Sequence, residues 1–307
     1  MQDLYSENSE GEIATCNLAA IVVGRAESDE EYEDACYYAL KMIDDVIEIG
    51  NYPFPSLRRS AKARRNAGVG MMNLAHDLAS KGLNYTSAES KAYIHRVAER
   101  HSYFLHKASI RLAKERGPCE WLYKTKYPDG WLPIDTYKKT VDKITDQKLV
   151  YDWEALRKEG LKHGYRFSVL EAFMPGESSS QASGTTNSVY PVRGLVIEKK
   201  DGNKITTFIA PDADLLADKY QLASQINTRD IIEMYALFQK FCGQTLSSDY
   251  WPKDKEIDGK NGRKFSADEA FNNYLLAKRY GVKTRYYTNT ENNADMEETC
   301  VGGACKL

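Results

Sequence analysis

Apolar positions fall in two rhythms along this chain, and the rhythm changes at recognisable stop signals. Between Glu12 and Gly24, Ile13, Leu18, Ile21, Val22 and Val23 form a short apolar segment, which predicts a buried strand or a loop beside the core. Ser28-Asp29-Glu30-Glu31 has the form of a capping box and opens a helix. Its apolar face is expected to be Ala35, Ala39, Met42, Ile43, Val46 and Ile47, and it stops at Gly50. A basic loop with Arg58, Arg59, Lys62, Arg64 and Arg65 follows, and Gly68-Val69-Gly70 leads into a short helix from Met71 to Ser80. Thr86-Ser87-Ala88-Glu89 starts a helix of about thirty residues that ends at Gly117-Pro118, a glycine stop followed by a residue that cannot continue a helix.

Residues 118–150 have little periodicity and several prolines, and read as loop. Asp152 caps a helix ending at Gly164, and Phe167, Val169 and Phe173 alternate with polar residues in a strand over Tyr165–Met174. Leu195–Lys200 and Lys204–Ala210 flank Asp201-Gly202, a hairpin signal. Helices are expected over Asp214–Gln225 and over Arg229–Cys242, the second capped by Thr228. A polar loop around Lys253–Arg263 precedes a third capping box, Ser266-Ala267-Asp268-Glu269, whose helix ends at Tyr280-Gly281. Val282–Thr288 reads as a short strand, and Asn289–Leu307 as an acidic, disordered tail. Strands alternating with helices predict an α/β fold.

Composition narrows the function. The 307 residues carry 42 basic and 44 acidic side chains, a net charge of −2, so no basic footprint for nucleic acid is present. No apolar run approaches the roughly 18 residues a membrane span needs. The polar, acidic start lacks the basic and apolar regions of a signal peptide, which leads to the expectation of a cytoplasmic protein. The six cysteines, at 16, 36, 119, 242, 300 and 305, are too sparse for a disulfide scaffold. No metal site is expected, because no histidine follows His163.

Four features carry candidate chemistry. Cys300-Val301-Gly302-Gly303-Ala304-Cys305 joins two cysteines through two glycines. It reads as a redox dithiol on an exposed tail, against an incidental pair or half of a metal site. Cys16 is the best internal target for thiol exchange, against an inert buried cysteine. Tyr286-Tyr287 reads as edge packing or as a one-electron relay. A regular strand would point those two rings to opposite faces, so a relay requires distorted backbone. Pro175-Gly176-Glu177-Ser178-Ser179-Ser180-Gln181 follows a strand; if it opens a helix, its free N–H groups favour a phosphate, against a cap with no ligand.

Pro133-Ile134-Asp135-Thr136-Tyr137-Lys138-Lys139, Tyr151-Asp152-Trp153-Glu154-Ala155-Leu156, Met174-Pro175 through Gln181, Gly281-Val282-Lys283-Thr284 with Tyr286-Tyr287, and the cysteine-containing end occur in one order. Together they make the chain resemble the C-terminal part of the large, catalytic subunit of class I ribonucleotide reductase, of the class Ia kind. The resemblance implies the second half of a ten-stranded α/β barrel over residues 1–288 and a swinging redox tail over 289–307. It implies that Cys16 is one of two cysteines that reduce the ribose. Tyr286 and Tyr287 would be a stacked pair passing a radical from the small subunit, and Cys300 and Cys305 the dithiol that re-reduces the active site. Gly176, Glu177, Ser178 and Ser179 match the segment that holds the substrate diphosphate, with Gly176 and Ser178 where Ser and Thr are common.

The resemblance also places several parts outside this chain. The radical-bearing cysteine, its neighbouring Asn and Glu, the partner of Cys16 and the allosteric nucleotide sites would lie on an N-terminal half, so the chain is expected to be truncated or, by preference, a split subunit. No cofactor is expected on this chain; the radical would come from a dimetal-tyrosyl small subunit. The implied partners are the N-terminal half, the small subunit, thioredoxin or glutaredoxin, and a ribonucleoside diphosphate. The helix from Ser266 to Tyr280 would offer Phe271, Tyr274 and Leu275 as a groove for the small subunit's tail, against ordinary core packing. The competing reading is a stand-alone thiol-redox or interaction module derived from the same fold.

Overall fold

The computed structural model describes residues 11–201, 204–251 and 266–289. The chain opens with β1 (Asn17–Val22), α1 (Asp29–Ile49), α2 (Pro55–Arg64), β2 (Asn66–Met72), α3 (Leu74–Ser80) and the long α4 (Ala88–Arg116). Next come α5 (Pro133–Thr136), α6 (Trp153–His163), β3 (Val169–Glu171), α7 (Glu177–Ser183), β4 (Val196–Asp201) and β5 (Lys204–Ile209). It closes with α8 (Ala213–Leu216), α9 (Thr228–Phe241), β6 (Asp249–Tyr250), α10 (Ala267–Arg279) and β7 (Tyr287–Thr288). The α/β class stands.

β1, β2 and β3 form a parallel sheet in that order, with Asn17 opposite Ala67 and Val22 opposite Met72. Ile21, Ala67, Val69 and Leu170 turn to one face and pack with Tyr32, Cys36, Leu40, Ile43 and Ile47 of α1 and Phe104, Leu105, Ala108 and Leu112 of α4. The outer edge of β1 pairs with no strand among the described residues. α9 is buried nearly all round and sits in a second cluster with Ile94 and Ala98 of α4. No helix among the described residues is long and apolar enough to cross a membrane.

Helix starts follow the local chemistry. Ser28 Oγ accepts from Glu31 N, Ser87 from Ser90 N and Asp152 from Ala155 N. Ser266 and Glu269 make both bonds of a capping box, each satisfying a donor that the first turn leaves free. α9 starts one residue earlier than expected, on Asn227. β4 and β5 pair antiparallel, with Val196 opposite Ile209 and Asp201 opposite Lys204, as the hairpin signal led us to expect.

Several expectations are corrected. The buried face of α1 is rotated: Met42 and Val46 are exposed and Asp44 is buried. Asp44 takes Arg65 at 2.8 Å, Arg116 at 2.7 Å and Arg166 at 2.9 Å, and a buried carboxylate needs such partners. The basic loop is helix α2, started by Pro55 at a position where its missing N–H costs nothing. Gly68–Met72 belongs to a strand, with the helix delayed to Leu74. Asp214–Gln225 holds only the four-residue α8 and a single 3-10 turn, and β7 is two residues long, paired with the unforeseen β6. The polar loop 253–263 falls within residues that are not described, as does the expected tail from residue 290 onward.

Candidate active site

The sheet face opposite α1 and α4 is floored by glycine. A Cβ on Gly68 would lie 2.7 Å from Cys16 Sγ, 2.6 Å from Leu18 Cδ2 and 3.0 Å from Ala172 Cβ. A Cβ on Gly70 would lie 2.5 Å from Ala172 O and 2.8 Å from Met174 Sδ. At either position a Cβ would force a neighbouring group to shift, and glycine lets the flanking segments close over β2 without that cost. The floor therefore presents the Cys16 thiol. Cys16 is exposed, and desolvation raises its pKa. Cys36, Cys119 and Cys242 are buried; burial pushes the Cys119 thiol up to about 11 and raises Cys36 and Cys242 as well. Their surroundings make them inert, which leaves Cys16 as the accessible thiol among the described cysteines.

At the carboxyl end of β2 the same face meets the start of α7, where a Cβ on Gly176 would come within 3.2 Å of Met72 Sδ. Met72 is four residue steps beyond Gly68, so Cys16 and α7 are spaced by roughly 13 Å along the strand. Gly176 is the N-cap of α7, but its N–H donates to Asn187 Oδ1 at 2.8 Å. Gly176 therefore offers no free donor. The first turn of α7 carries Glu177, Ser178 and Ser179, and all three residues are exposed.

The segment after α7 is strapped to the sheet. Asn73, at φ 80°, accepts from Thr186 N through Oδ1 at 3.2 Å and donates its own N–H to Thr186 O at 2.8 Å. Its amide also donates to Val23 O at 3.1 Å. Asn73 and Asn187 were missed in the sequence; an asparagine directly after a strand, able to adopt a left-handed conformation, is the signal that marks Asn73.

Tyr286 and Tyr287 meet, but they do not stack. Their ring centroids are 4.3 Å apart with planes at 72°, an edge-to-face contact in place of the stacked pair the resemblance implies. Both rings are partly exposed, at 49% and 43%. The backbone is distorted: Tyr286 N and Tyr287 N both donate to Ser248 O, at 3.1 and 3.4 Å. Beside them Asp249 is buried, with Oδ1 unpartnered and Oδ2 3.9 Å from Arg193 Nη2. Phe271, Tyr274 and Leu275 stand exposed on α10, which is not the core-packing alternative, and Tyr274 lines a shallow cavity with Ile232, Tyr250 and Val282. Cys300 and Cys305 lie outside the described residues. Among the described residues, no cluster of His, Cys, Asp or Glu is arranged to hold a metal.

The sequence model of the ribonucleotide reductase barrel domain matches residues 3–218. The chain belongs to this family. Ribonucleoside-diphosphate reductase subunit alpha of Haemophilus influenzae is 40% identical over 315 residues, covering 100% of this chain and 41% of its own length. Ribonucleoside-diphosphate reductase 1 subunit alpha of Escherichia coli is 37% identical over 273 residues, covering 85% of this chain and 35% of its own length. The subunit alpha of Enterobacteria phage T4 is 34% identical over 295 residues, covering 94% of this chain and 38% of its own length. The chain thus spans about two fifths of the length of these ribonucleotide reductase relatives, on their C-terminal portion. None of the three is named as a stand-alone thiol or interaction module.

Proposed function

We propose that this chain supplies the C-terminal half of the catalytic barrel of a ribonucleoside-diphosphate reductase. One observation carries the reading: Cys16 and the N-terminal turn of α7 sit on the same glycine-floored sheet face. The diphosphate binds through the N–H groups of residues 177–179 with the Ser178 and Ser179 hydroxyls, on the positive end of the helix. Cys16 and a second thiol on the remainder of the subunit form a disulfide, giving two electrons and two protons as the ribose 2′ hydroxyl leaves as water. The radical that starts the reaction arrives from a small subunit through Tyr286 and Tyr287, and that subunit's tail docks along Phe271, Tyr274 and Leu275. Cys300 and Cys305 then exchange with the new disulfide, and a thioredoxin or glutaredoxin resets them.

The test is reconstitution. The chain is combined with a polypeptide supplying the rest of the relatives' length and with a small subunit, and cytidine diphosphate reduction is followed. Turnover is expected, and Cys16→Ser is expected to abolish it. Tyr286→Phe is expected to stop turnover while diphosphate binding persists. Cys300→Ser with Cys305→Ser is expected to stop thioredoxin-driven turnover and spare part of that driven by dithiothreitol. Full activity in the Cys16→Ser protein would overturn the role given to that thiol.

A further inference from the structure

The distortion that brings the two tyrosine rings together has an identifiable source. In a regular strand, consecutive side chains point to opposite faces, and Tyr286 and Tyr287 would be apart. Here one acceptor, Ser248 O, takes both N–H groups. Ser248 is fully buried, and its hydroxyl donates to Thr284 O at 2.8 Å, two residues ahead of the pair. On the far side, Asn289 N donates to Tyr250 O at 2.7 Å. The whole tyrosine strand therefore hangs from the carbonyls of residues 248 and 250.

A two-residue strand is not rigid by itself, so something must hold β6. Successive residues of a strand direct their backbone groups to opposite edges. Ser248 and Tyr250 bond toward β7, and Asp249 bonds the other way, into the core. There the buried Tyr235 of α9 meets it with a single hydroxyl, accepting from Asp249 N at 2.9 Å and donating to Asp249 O at 3.0 Å. Tyr235 stands where a third strand would stand. No other group on this edge of β6 is needed to satisfy Asp249's backbone.

We infer that Tyr235 and Ser248 are positioning residues for the tyrosine pair, anchoring β6 to α9 and to the Thr284 turn so that the Tyr286 and Tyr287 rings stay in contact. The role in turnover rests on the radical relay proposed above; the ring contact does not.

The experiment places 3-fluorotyrosine at position 286 of the full chain and reads its fluorine resonance, which responds to the ring current of Tyr287. Tyr287→Leu fixes the position of the line without that neighbour. Tyr235→Phe keeps the ring in the core and removes only the hydroxyl; it is expected to move the line most of the way to the Tyr287→Leu position. Ser248→Ala removes the hydroxyl anchor to Thr284, keeps the Ser248 carbonyl, and is expected to move it part of the way. In the reconstituted enzyme, Tyr235→Phe is expected to lower kcat by about tenfold or more through lost alignment, with KM unchanged. A line that stays at its original position in both folded variants overturns the inference. A line that moves while kcat holds supports the positioning role and overturns the relay.

Discussion

Asp249 is a buried carboxyl beside the tyrosine strand, with one oxygen unpartnered. Burial pushes its carboxyl up to about 6 from an ordinary 3.8, against the pull of Arg193 and Asn289, and the Glu177 carboxylate adds to the rise. The sign follows directly. The folded state holds this proton more tightly than the unfolded state, so the stability it contributes is fully present below about pH 4 and is lost as pH rises through 6. Asp249→Asn keeps the shape without the charge. It is expected to raise neutral-pH stability by on the order of 2 kcal/mol and to remove that part of the slope between pH 4 and 6. Melting temperatures measured across this range for both proteins read the effect, and identical slopes would refute it. Sequence gave no warning of this residue, because Ser248-Asp249-Tyr250 suits a surface loop equally well. Its burial depends on Arg193 and Tyr235, which arrive from elsewhere in the chain. The caps at Ser28, Ser87, Asp152 and Ser266 were legible because a cap bonds within its own first turn.

At the scale of elements, β2 shows why the sheet was half hidden. Asn66-Ala67-Gly68-Val69-Gly70 carries two glycines in five residues, a weak strand by propensity, and the run into Met71 and Met72 reads as a helix start. The glycines make room for Cys16 and Leu18 at the start of β1 and for Ala172 and Met174 just after β3, whose atoms occupy the space a Cβ would need. The two positions differ in what they meet. At Gly68 the nearest atoms are the ends of the Leu18 and Cys16 side chains, and at Gly70 the nearest is a backbone oxygen, Ala172 O at 2.5 Å. Side-chain ends can turn aside more readily than a strand can shift. Gly70→Ala is therefore expected to cost about 1–3 kcal/mol by overpacking, more than Gly68→Ala, in paired urea denaturation curves. A larger loss at Gly68 would show that Cys16 and Leu18 are the fixed objects and the β3 segment the yielding one. The Arg65, Arg116 and Arg166 cluster on Asp44 was equally hidden, since its members come from four separate segments.

For the whole molecule, the alternation of strands and helices was enough to fix the class, and the motif order was enough to fix the family. The closed barrel is another matter. The described strands form one three-stranded parallel sheet and two short pairs, and the sheet ends on β1, whose outer edge is unpaired among the described residues and whose Leu18 is 55% exposed. An uncovered edge with an apolar side chain is a place where another strand adds. The ribonucleotide reductase relatives carry more than half of their length beyond the matched portion. If that length completes the barrel, it pairs with β1. β2, which has a neighbour on each side, is then expected to exchange its amide hydrogens slowly in this chain alone, and β1 quickly at the amides that point outward. Adding a polypeptide with the rest of the relatives' length is expected to slow β1 to the level of β2 and leave α1, on the opposite face, unchanged. Equal protection of β1 and β2 in the isolated chain, or no change at β1 on addition, would place the seam somewhere else. The outcome also bears on the site, because Cys16 lies immediately before β1, and a strand laid along that edge would bring its own side chains onto the glycine floor where the proposed second thiol must stand.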